Sequence, residues 1–216
     1  MAPRAPELDF EAFQEHWSTE HGALAGTLAG LRSYVQNHAI LAAGRPLLPY
    51  PGFDACSELS FDSLEAMDAA FDSDHYRNTV TTDEKTLIDK TRFGLMLTKR
   101  RVLDDGEPAE GAVKLLTFFS VDANSSHEEL AEALAGPYRD AVAPAGPVRH
   151  EQLLVIPGAH DGRRAALADA ADLLWFESGE AALAFVASDA AFAAAYTLAG
   201  RAFGAQRLLA RTIQVV

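Results

Sequence analysis

The 216-residue sequence is poor in cysteine, in basic residues and in long apolar runs. Its single cysteine, Cys56, excludes an internal disulfide and a multi-thiolate metal site, so we expect it to be a small buried hydrophobe. The 18 basic residues stand against 31 acidic ones, and the net charge of −13 excludes nucleic acid and anionic membranes as partners. The sequence lacks an apolar run of membrane-spanning length and the apolar core of a signal peptide at its start. We therefore predict a cytoplasmic protein whose partner is a small molecule.

What the sequence does contain is an internal repeat, in a chain that is 49% hydrophobic and can therefore build a core. Segment 61–66 (FDSLEA), followed by Ser73, recurs as segment 176–181 (FESGEA), followed by Ser188 at the same spacing. Between the two halves, segment 103–111 is acidic and rich in glycine and proline, as linkers are. We interpret the chain as a tandem duplication with units at 1–104 and 112–216.

The second half predicts the order βαββαβ. Strands rich in β-branched and aromatic residues are expected at 113–121, 148–156, 172–177 and 205–215, with helices at about 126–143 and 180–199. The first half predicts a helix at 9–28, strands at 32–41, 57–61 and 92–103, and a helical stretch at 63–89. Its first strand is missing, because the residues before Asp9 include two prolines and no apolar run. The predicted fold class is α+β: two tandem ferredoxin-like (βαββαβ) units forming an intramolecular α/β-barrel pseudo-dimer.

Two histidines of the first half are candidates for acid–base chemistry. His21 lies in the middle of an apolar stripe on the first helix and should face the sheet. In the following strand, alternation places Tyr34, Gln36 and His38 on one face. If that face meets the helix, the two imidazoles share a mostly apolar cavity and can act as general acid and base near neutral pH. The alternative interpretation is that His21 is a hydrogen-bonded core residue and that the three strand residues face water.

The same segments resemble the signature of the EthD family. The residues that carry this resemblance are the run His16–Leu24, the run Gly30–His38, the pair Asp83 and Glu84, and Asp89 with Arg92. The family often has proline after its His-Gly pair, where this sequence has Ala23. The resemblance implies a dimeric α/β barrel with a pocket between sheet and helices. It also implies cofactor-free isomerase, cyclase, dehydratase or monooxygenase chemistry, and an assembly that is a homo-oligomer of pseudo-dimers.

Our leading hypothesis is a cofactor-independent lyase or isomerase that acts on a small apolar molecule, aromatic ones included. The catalytic residues would be His21, His38 and Tyr34, and no metal or cofactor is expected. The substrate-binding residues would be Gln36, Asn37, Trp17 and His75. The alternatives are a cofactor-free monooxygenase, a non-catalytic carrier or accessory protein for hydrophobic metabolites, and a haem-binding protein.

Three further expectations concern the rest of the chain. The repeat register places Ala135 at the position of His21, with His150 near that of Gln36, so the second unit is expected to be mainly structural. We expect His16 on the exposed flank of the first helix. The segment 81–84 fits a capping box, which would explain Asp83 and Glu84 without a functional role.

Overall fold

The computed structural model describes all residues from Met1 to Val216 and confirms the α+β class. The chain forms two compact units. The first comprises Met1–Phe93 together with Arg211–Val216, and the second comprises Gly94–Ala210. The division at 104 and 112, which rests on the repeat, stays a prediction about duplication.

The first unit pairs two principal strands and covers them with helical segments. Its helical elements are α1 (Phe10–His16), a π-helical turn (Trp17–His21), α2 (Gly22–Ala25), α3 (Leu64–Asp72), a second π-helical turn (Tyr76–Val80), α4 (Thr81–Leu87) and a 3-10 turn (Lys90–Arg92). Its strands are β1 (Leu31–Ala39), the short hairpin β2 (Leu41–Ala42) and β3 (Arg45–Pro46), and β4 (Ser57–Phe61). Strands β1 and β4 are antiparallel, with Tyr34 opposite Leu59. The end of the chain lies on the other side of β1, where the amide of Val215 donates to the carbonyl of Tyr34.

The second unit has the predicted βαββαβ order, preceded by one further strand. The strands are β5 (Thr98–Asp104), β6 (Val113–Val121), β7 (Arg149–Val155), β8 (Ala170–Phe176) and β9 (Ala202–Gln214), whose last four residues belong to the first unit. The helical elements are α5 (His127–Ala133), a π-helical turn (Leu134–Tyr138), α6 (Arg139–Val142), a 3-10 turn (Ala143–Ala145), α7 (Gly179–Val186) and α8 (Asp189–Thr197). The strands lie in the order β9-β6-β8-β7-β5, so the first and third strands of the motif are central, as in a ferredoxin-like unit. All seven residues of β8 are buried, so both of its faces are covered.

The repeated sequence segments have the same local structure in both units. Ser63 and Ser178 each begin a helix by accepting a hydrogen bond from the backbone amide three residues later. Ser73 and Ser188 each donate to a carbonyl three residues earlier at 2.7 Å and accept from an amide three residues later at 3.2 Å. These shared contacts explain why the spacing of the repeat is the same in both halves.

The segment before α1 does not form the strand that a complete ferredoxin-like unit would have there. It is held by single backbone bridges instead, from Ala2 to Ala55 and from Arg4 to Ile88. The side chain of Arg4 pairs with Asp54 at 2.8 Å. Proline at positions 3 and 6 removes backbone donors, so a continuous ladder cannot form.

The predicted element boundaries agree with the structure in most places, and two of them are wrong. Strand β5 begins at Thr98 rather than at 92, because Asp89 caps a 3-10 turn over Lys90–Arg92. The capping box predicted at 81–84 does not form, because α4 continues directly from the π-helical turn before it. No helix of the chain combines the length and the apolar character that crossing a membrane requires.

Candidate functional site

A π-helical turn in the first helix decides which side chains the site contains. In a regular α-helix, residues five apart point about 140° away from each other. The π-helical turn at Trp17–His21 widens the helix by one residue. As a result, His16 and His21 both reach the carboxylate of Asp83 in α4. The prediction that His16 lies on the exposed flank is therefore wrong.

The two histidines bind opposite oxygens of this one carboxylate. His16 Nε2 lies 2.6 Å from Asp83 Oδ1, and His21 Nδ1 lies 2.8 Å from Asp83 Oδ2. An ionised carboxylate only accepts hydrogen bonds, so His21 carries its proton on Nδ1. In the neutral form of the ring, Nε2 then holds a lone pair, and it makes no hydrogen bond within the chain. Neutral His21 is thus held in the tautomer of a general base, an arrangement familiar from catalytic His–Asp pairs.

A second hydrogen-bonded chain connects β1 to the first helix. Gln36 Nε2 donates to the Trp17 carbonyl at 2.7 Å and to the Tyr34 hydroxyl at 2.9 Å. Gln36 Oε1 lies 2.8 Å from His38 Nε2. Trp17 Nε1 also donates to the Tyr34 hydroxyl, at 3.2 Å. This confirms that Tyr34, Gln36 and His38 share one face and that the face meets the helix rather than water.

The amide orientation of Gln36 fixes the tautomer of His38. The Trp17 carbonyl can only accept, so the amide nitrogen must face it and the amide oxygen must face His38. His38 therefore donates from Nε2–H, and its Nδ1 holds the lone pair. Burial of the ring lowers the pKa of His38 from 6.5 to about 4, so the imidazole is neutral at pH 7. This corrects the expectation that both imidazoles titrate near neutrality.

The Tyr34 hydroxyl accepts two hydrogen bonds within the protein. The donors are Trp17 Nε1 and Gln36 Nε2. A phenol offers one donor and two acceptor positions, so both acceptor positions are occupied. Burial, the largest effect, raises the pKa of Tyr34. Tyr34 therefore holds its neighbours in position.

Stacked rings bury the polar chain from one side. The Trp17 ring stacks on His38 at a centroid distance of 4.4 Å and on Phe13 at 5.4 Å. Phe13 and Trp17 form a core cluster with Ala55 and Leu87. These rings therefore shield the polar chain from water on this side.

The structure places the two predicted catalytic histidines in separate hydrogen-bonded groups. Two of the predicted substrate-binding residues, Asn37 and His75, belong to neither group. His21 belongs to the Asp83 group and His38 to the Gln36 group. The Asn37 amide points to the opposite face of β1 and donates to the Cys56 carbonyl and to Glu58. His75 bonds the Leu24 carbonyl and Thr27 near the end of the first helix.

Asp83 and His16 are the members of the site that sequence reasoning missed. Asp83 belongs to the residues that resemble the EthD signature, which is the signal that could have identified it. His16, Glu20 and Asp83 also present ligand atoms within 4.8 Å of one another, the minimum number for a metal site. Glu20 is 75% exposed, and the His16 nitrogen is engaged by Asp83, so hydrogen bonding explains this trio.

An open cleft of about 300 Å³ lies elsewhere on the first unit. It is lined by Pro3, Arg4, Pro6, Phe10, Tyr50, Asp54 and Arg92. Asp54 is already bonded to Arg4 and to the Tyr50 hydroxyl. None of the residues that line the cleft belongs to the hydrogen-bonded groups of His21 or His38.

Comparison with known proteins supports the fold and the resemblance of the first half. Residues 5–91 match the family model of the EthD domain. The chain is similar in structure to an anthrone oxidase-like protein, with a TM-score of 0.62, 14% identity, and coverage of 99% of this chain and 90% of the other. It is also similar to a candidate monooxygenase from Lactobacillus acidophilus NCFM, with a TM-score of 0.53, 14% identity and coverage of 94% and 89%.

A third similar structure is a candidate monooxygenase from Fusobacterium nucleatum subsp. nucleatum, with a TM-score of 0.55, 8% identity and coverage of 98% and 88%. At these identities the likeness establishes a shared fold. No curated protein matches the chain closely enough to count as a relative. The EthD resemblance is thereby confirmed for residues 5–91, and the tandem form stays a prediction.

Proposed function

We propose that the first unit is a cofactor-independent enzyme that removes a proton from a small, largely apolar molecule. The observation that carries the proposal is the His21–Asp83 hydrogen bond of 2.8 Å, which leaves the lone pair of His21 Nε2 available. Asp83 would orient the ring and stabilise the imidazolium that forms when His21 accepts the proton. His21 is 8% exposed, so it lies at the edge of the core, within reach of a ligand.

His38 has a different role in this proposal. With a pKa of about 4 it is a weak base at neutral pH. Its Nδ1 can accept a hydrogen bond from a substrate hydroxyl, while Gln36 and Tyr34 keep the ring in place. Both N–H groups of Gln36 are engaged, so the site offers no spare amide donor for a localised oxyanion. A substrate whose anion is delocalised over an aromatic system needs fewer such donors.

Two classes of reaction can follow the same proton removal: lyase or isomerase chemistry, and oxidation by O₂. Return of the proton to another carbon is an isomerisation, and loss of a hydroxyl group as water is a dehydration. Attack of the carbanion on a carbonyl carbon of the same molecule, whose oxygen takes up the proton, is a cyclisation. Reaction of the anion with O₂ is the second candidate, and the anthrone oxidase-like and monooxygenase names of the similar structures favour it. For an anthrone this oxidation converts a CH₂ group and O₂ into a carbonyl group and water.

The test uses two probes that separate these outcomes. Anthrone in D₂O under nitrogen reports proton removal as exchange at its CH₂ group, and under air it reports O₂ consumption. Cyclohex-3-en-1-one reports a double-bond shift by its change in ultraviolet absorbance. We expect the wild type to accelerate at least anthrone exchange, and His21→Gln to lose most of this acceleration.

The matched control is His75→Gln, which changes a histidine of the same unit that lies outside both hydrogen-bonded groups. It should exchange anthrone like the wild type. Exchange with no O₂ uptake above the uncatalysed rate would eliminate the oxidase. Tight binding of anthrone without any exchange would eliminate the enzyme hypothesis and support a carrier.

A further inference from the structure

A row of polar side chains crosses the sheet of the second unit. The strand register pairs Gln152 with Asp172, Asp172 with Thr117, and Thr117 with Arg207. Side chains directly opposite each other in antiparallel strands point to the same face. Gln152 Nε2 donates to the Leu134 carbonyl at 2.9 Å, so this face is the one covered by the helical segment. Gln152, Asp172 and Thr117 are each at most 2% exposed.

Two further ionisable groups join the row. His150 Nε2 lies 2.7 Å from Asp172 Oδ1, which also accepts from Gln152 at 3.1 Å. Tyr138 comes from the π-helical turn above the sheet. Burial, followed by the charge of Asp172, raises the pKa of its hydroxyl, which also hydrogen-bonds to Asp172. The second unit therefore contains a buried carboxylate, imidazole and phenol beside a guanidinium. A unit with a mainly structural role, as the sequence predicts, has no need of this set.

The row also concentrates the polar atoms that the chain leaves without partners. Four buried side-chain atoms make no hydrogen bond, and three of them are Gln152 Oε1, Asp172 Oδ2 and Arg207 Nε. Buried polar atoms are nearly always paired in native proteins, so three exceptions in one group require an explanation. Two of the three are acceptors and one is a donor. The donor is Arg207 Nε.

We propose that this group, formed by Tyr138, His150, Gln152, Asp172, Thr117 and Arg207, is a second binding site, for a small molecule that carries an anionic or carbonyl oxygen next to a hydroxyl group. The oxygen accepts from Arg207, whose flat fork of donors fits a carboxylate or an enolate. The hydroxyl donates to Asp172 Oδ2 or Gln152 Oε1. Hydroxylated aromatic acids and enolised diketones have this chemistry. The site lies entirely within the second unit and is independent of the function proposed for the first.

The test is calorimetric titration of the purified full chain with three probes. Salicylate carries a carboxylate beside a hydroxyl, 2-methoxybenzoate lacks the hydroxyl proton, and benzoate lacks the hydroxyl. We expect salicylate to bind, and each of the other two to bind about tenfold more weakly or worse, since each loses a hydrogen bond to a buried carboxylate or amide. Failure of salicylate to bind at millimolar concentration overturns the proposal.

The variants locate the binding. Arg207→Gln should weaken salicylate binding by about tenfold or more, because a charged hydrogen bond is lost. Arg211→Gln removes an exposed arginine from the same strand and is the matched control, and His21→Gln tests the first unit. Both should bind like the wild type. Should Arg207→Gln lose its native circular dichroism, Arg207→Lys keeps the charge but removes Nε and should still weaken binding. Binding that Arg207 variants leave unchanged, or that His21→Gln abolishes, refutes the second site.

Discussion

The buried imidazole of His38 makes the stability of the protein depend on pH in a way that can be calculated. The pKa of His38 is about 4 in the folded protein, against 6.5 for a solvated histidine. The unfolded chain therefore binds more protons between these two values, and the free energy of unfolding falls as the pH falls through this window. At about 1.4 kcal/mol per pH unit, the total loss attributable to His38 is about 3 kcal/mol. About 2 kcal/mol of it is lost between pH 7 and pH 5.

The variant His38→Gln isolates this contribution. Glutamine does not titrate, and its amide can still donate to Gln36 Oε1, which His38 contacts at 2.8 Å. Urea unfolding at pH 7, 6 and 5, followed by tryptophan fluorescence, gives the free energy of unfolding of both proteins. All other titrating groups are common to the two chains, so the difference between the two pH profiles belongs to His38. We expect the wild type to lose about 2 kcal/mol more than the variant between pH 7 and pH 5.

A control separates this effect from general destabilisation. Phe13→Leu weakens the stack on Trp17, whose ring centroid lies 5.4 Å away, without changing any titrating group. Its free energy of unfolding should be lower than that of the wild type by a similar amount at every pH. Parallel profiles for wild type and His38→Gln would refute the argument, because they would mean that His38 reaches solvent or finds an acceptor when it is protonated.

Three other variants test separate parts of the structure. Asp83→Asn should lower the rate of anthrone exchange by about 10²–10⁴-fold with little change in KM, because the amide no longer stabilises the imidazolium of His21; an unchanged rate would contradict the role of Asp83. Tyr34→Phe should cost about 1–3 kcal/mol in urea unfolding, since it leaves Trp17 Nε1 and one Gln36 N–H without an acceptor. Ser126→Ala should cost about 1 kcal/mol by the same assay, because it removes the capping box with Glu129; a loss below the error of the assay would show that the first turn of α5 is capped in another way.

Alternation and composition were sufficient to predict most of the fold. Strand β4 (Ser57–Phe61) and strand β6 (Val113–Val121) have the predicted bounds. The alternation in β1 correctly predicted that Tyr34, Gln36 and His38 share one face, and the structure decides between the two alternatives by placing that face against the helix. These features depend on residues that are close together in the sequence, so they can be predicted from a single sequence.

The parts that could not be predicted depend on one backbone irregularity and on burial. A helical wheel with a regular period places His16 and His21 on different faces of the helix. Spacing alone therefore could not predict that both histidines bind the carboxylate of Asp83. The π-helical turn that brings them together has no recognised sequence signal. The pKa of His38 likewise depends on how completely Trp17 and the core cover the ring, which alternation does not reveal.

A hydrogen bond common to both units shows why the second group of ionisable residues was missed. Gln36 donates to the carbonyl of Trp17, the first residue of one π-helical turn, and Gln152 donates to the carbonyl of Leu134, the first residue of another. This correspondence places Tyr138, the last residue of its turn, at the position of His21, and His150 at that of Tyr34.

The repeat register used for the sequence is displaced from this correspondence by two residues in the strand and by three in the helix. A displacement of two leaves every strand side chain on the same face, so the register still placed His150 on the face that corresponds to that of Gln36. The displacement of three in the helix put Ala135 where Tyr138 belongs, and this made the second unit look as if it had lost its ionisable groups. The same framework therefore holds different chemistry in the two units: an imidazole paired with Asp83 on the helix in the first, and a phenol above an imidazole paired with Asp172 on the sheet in the second.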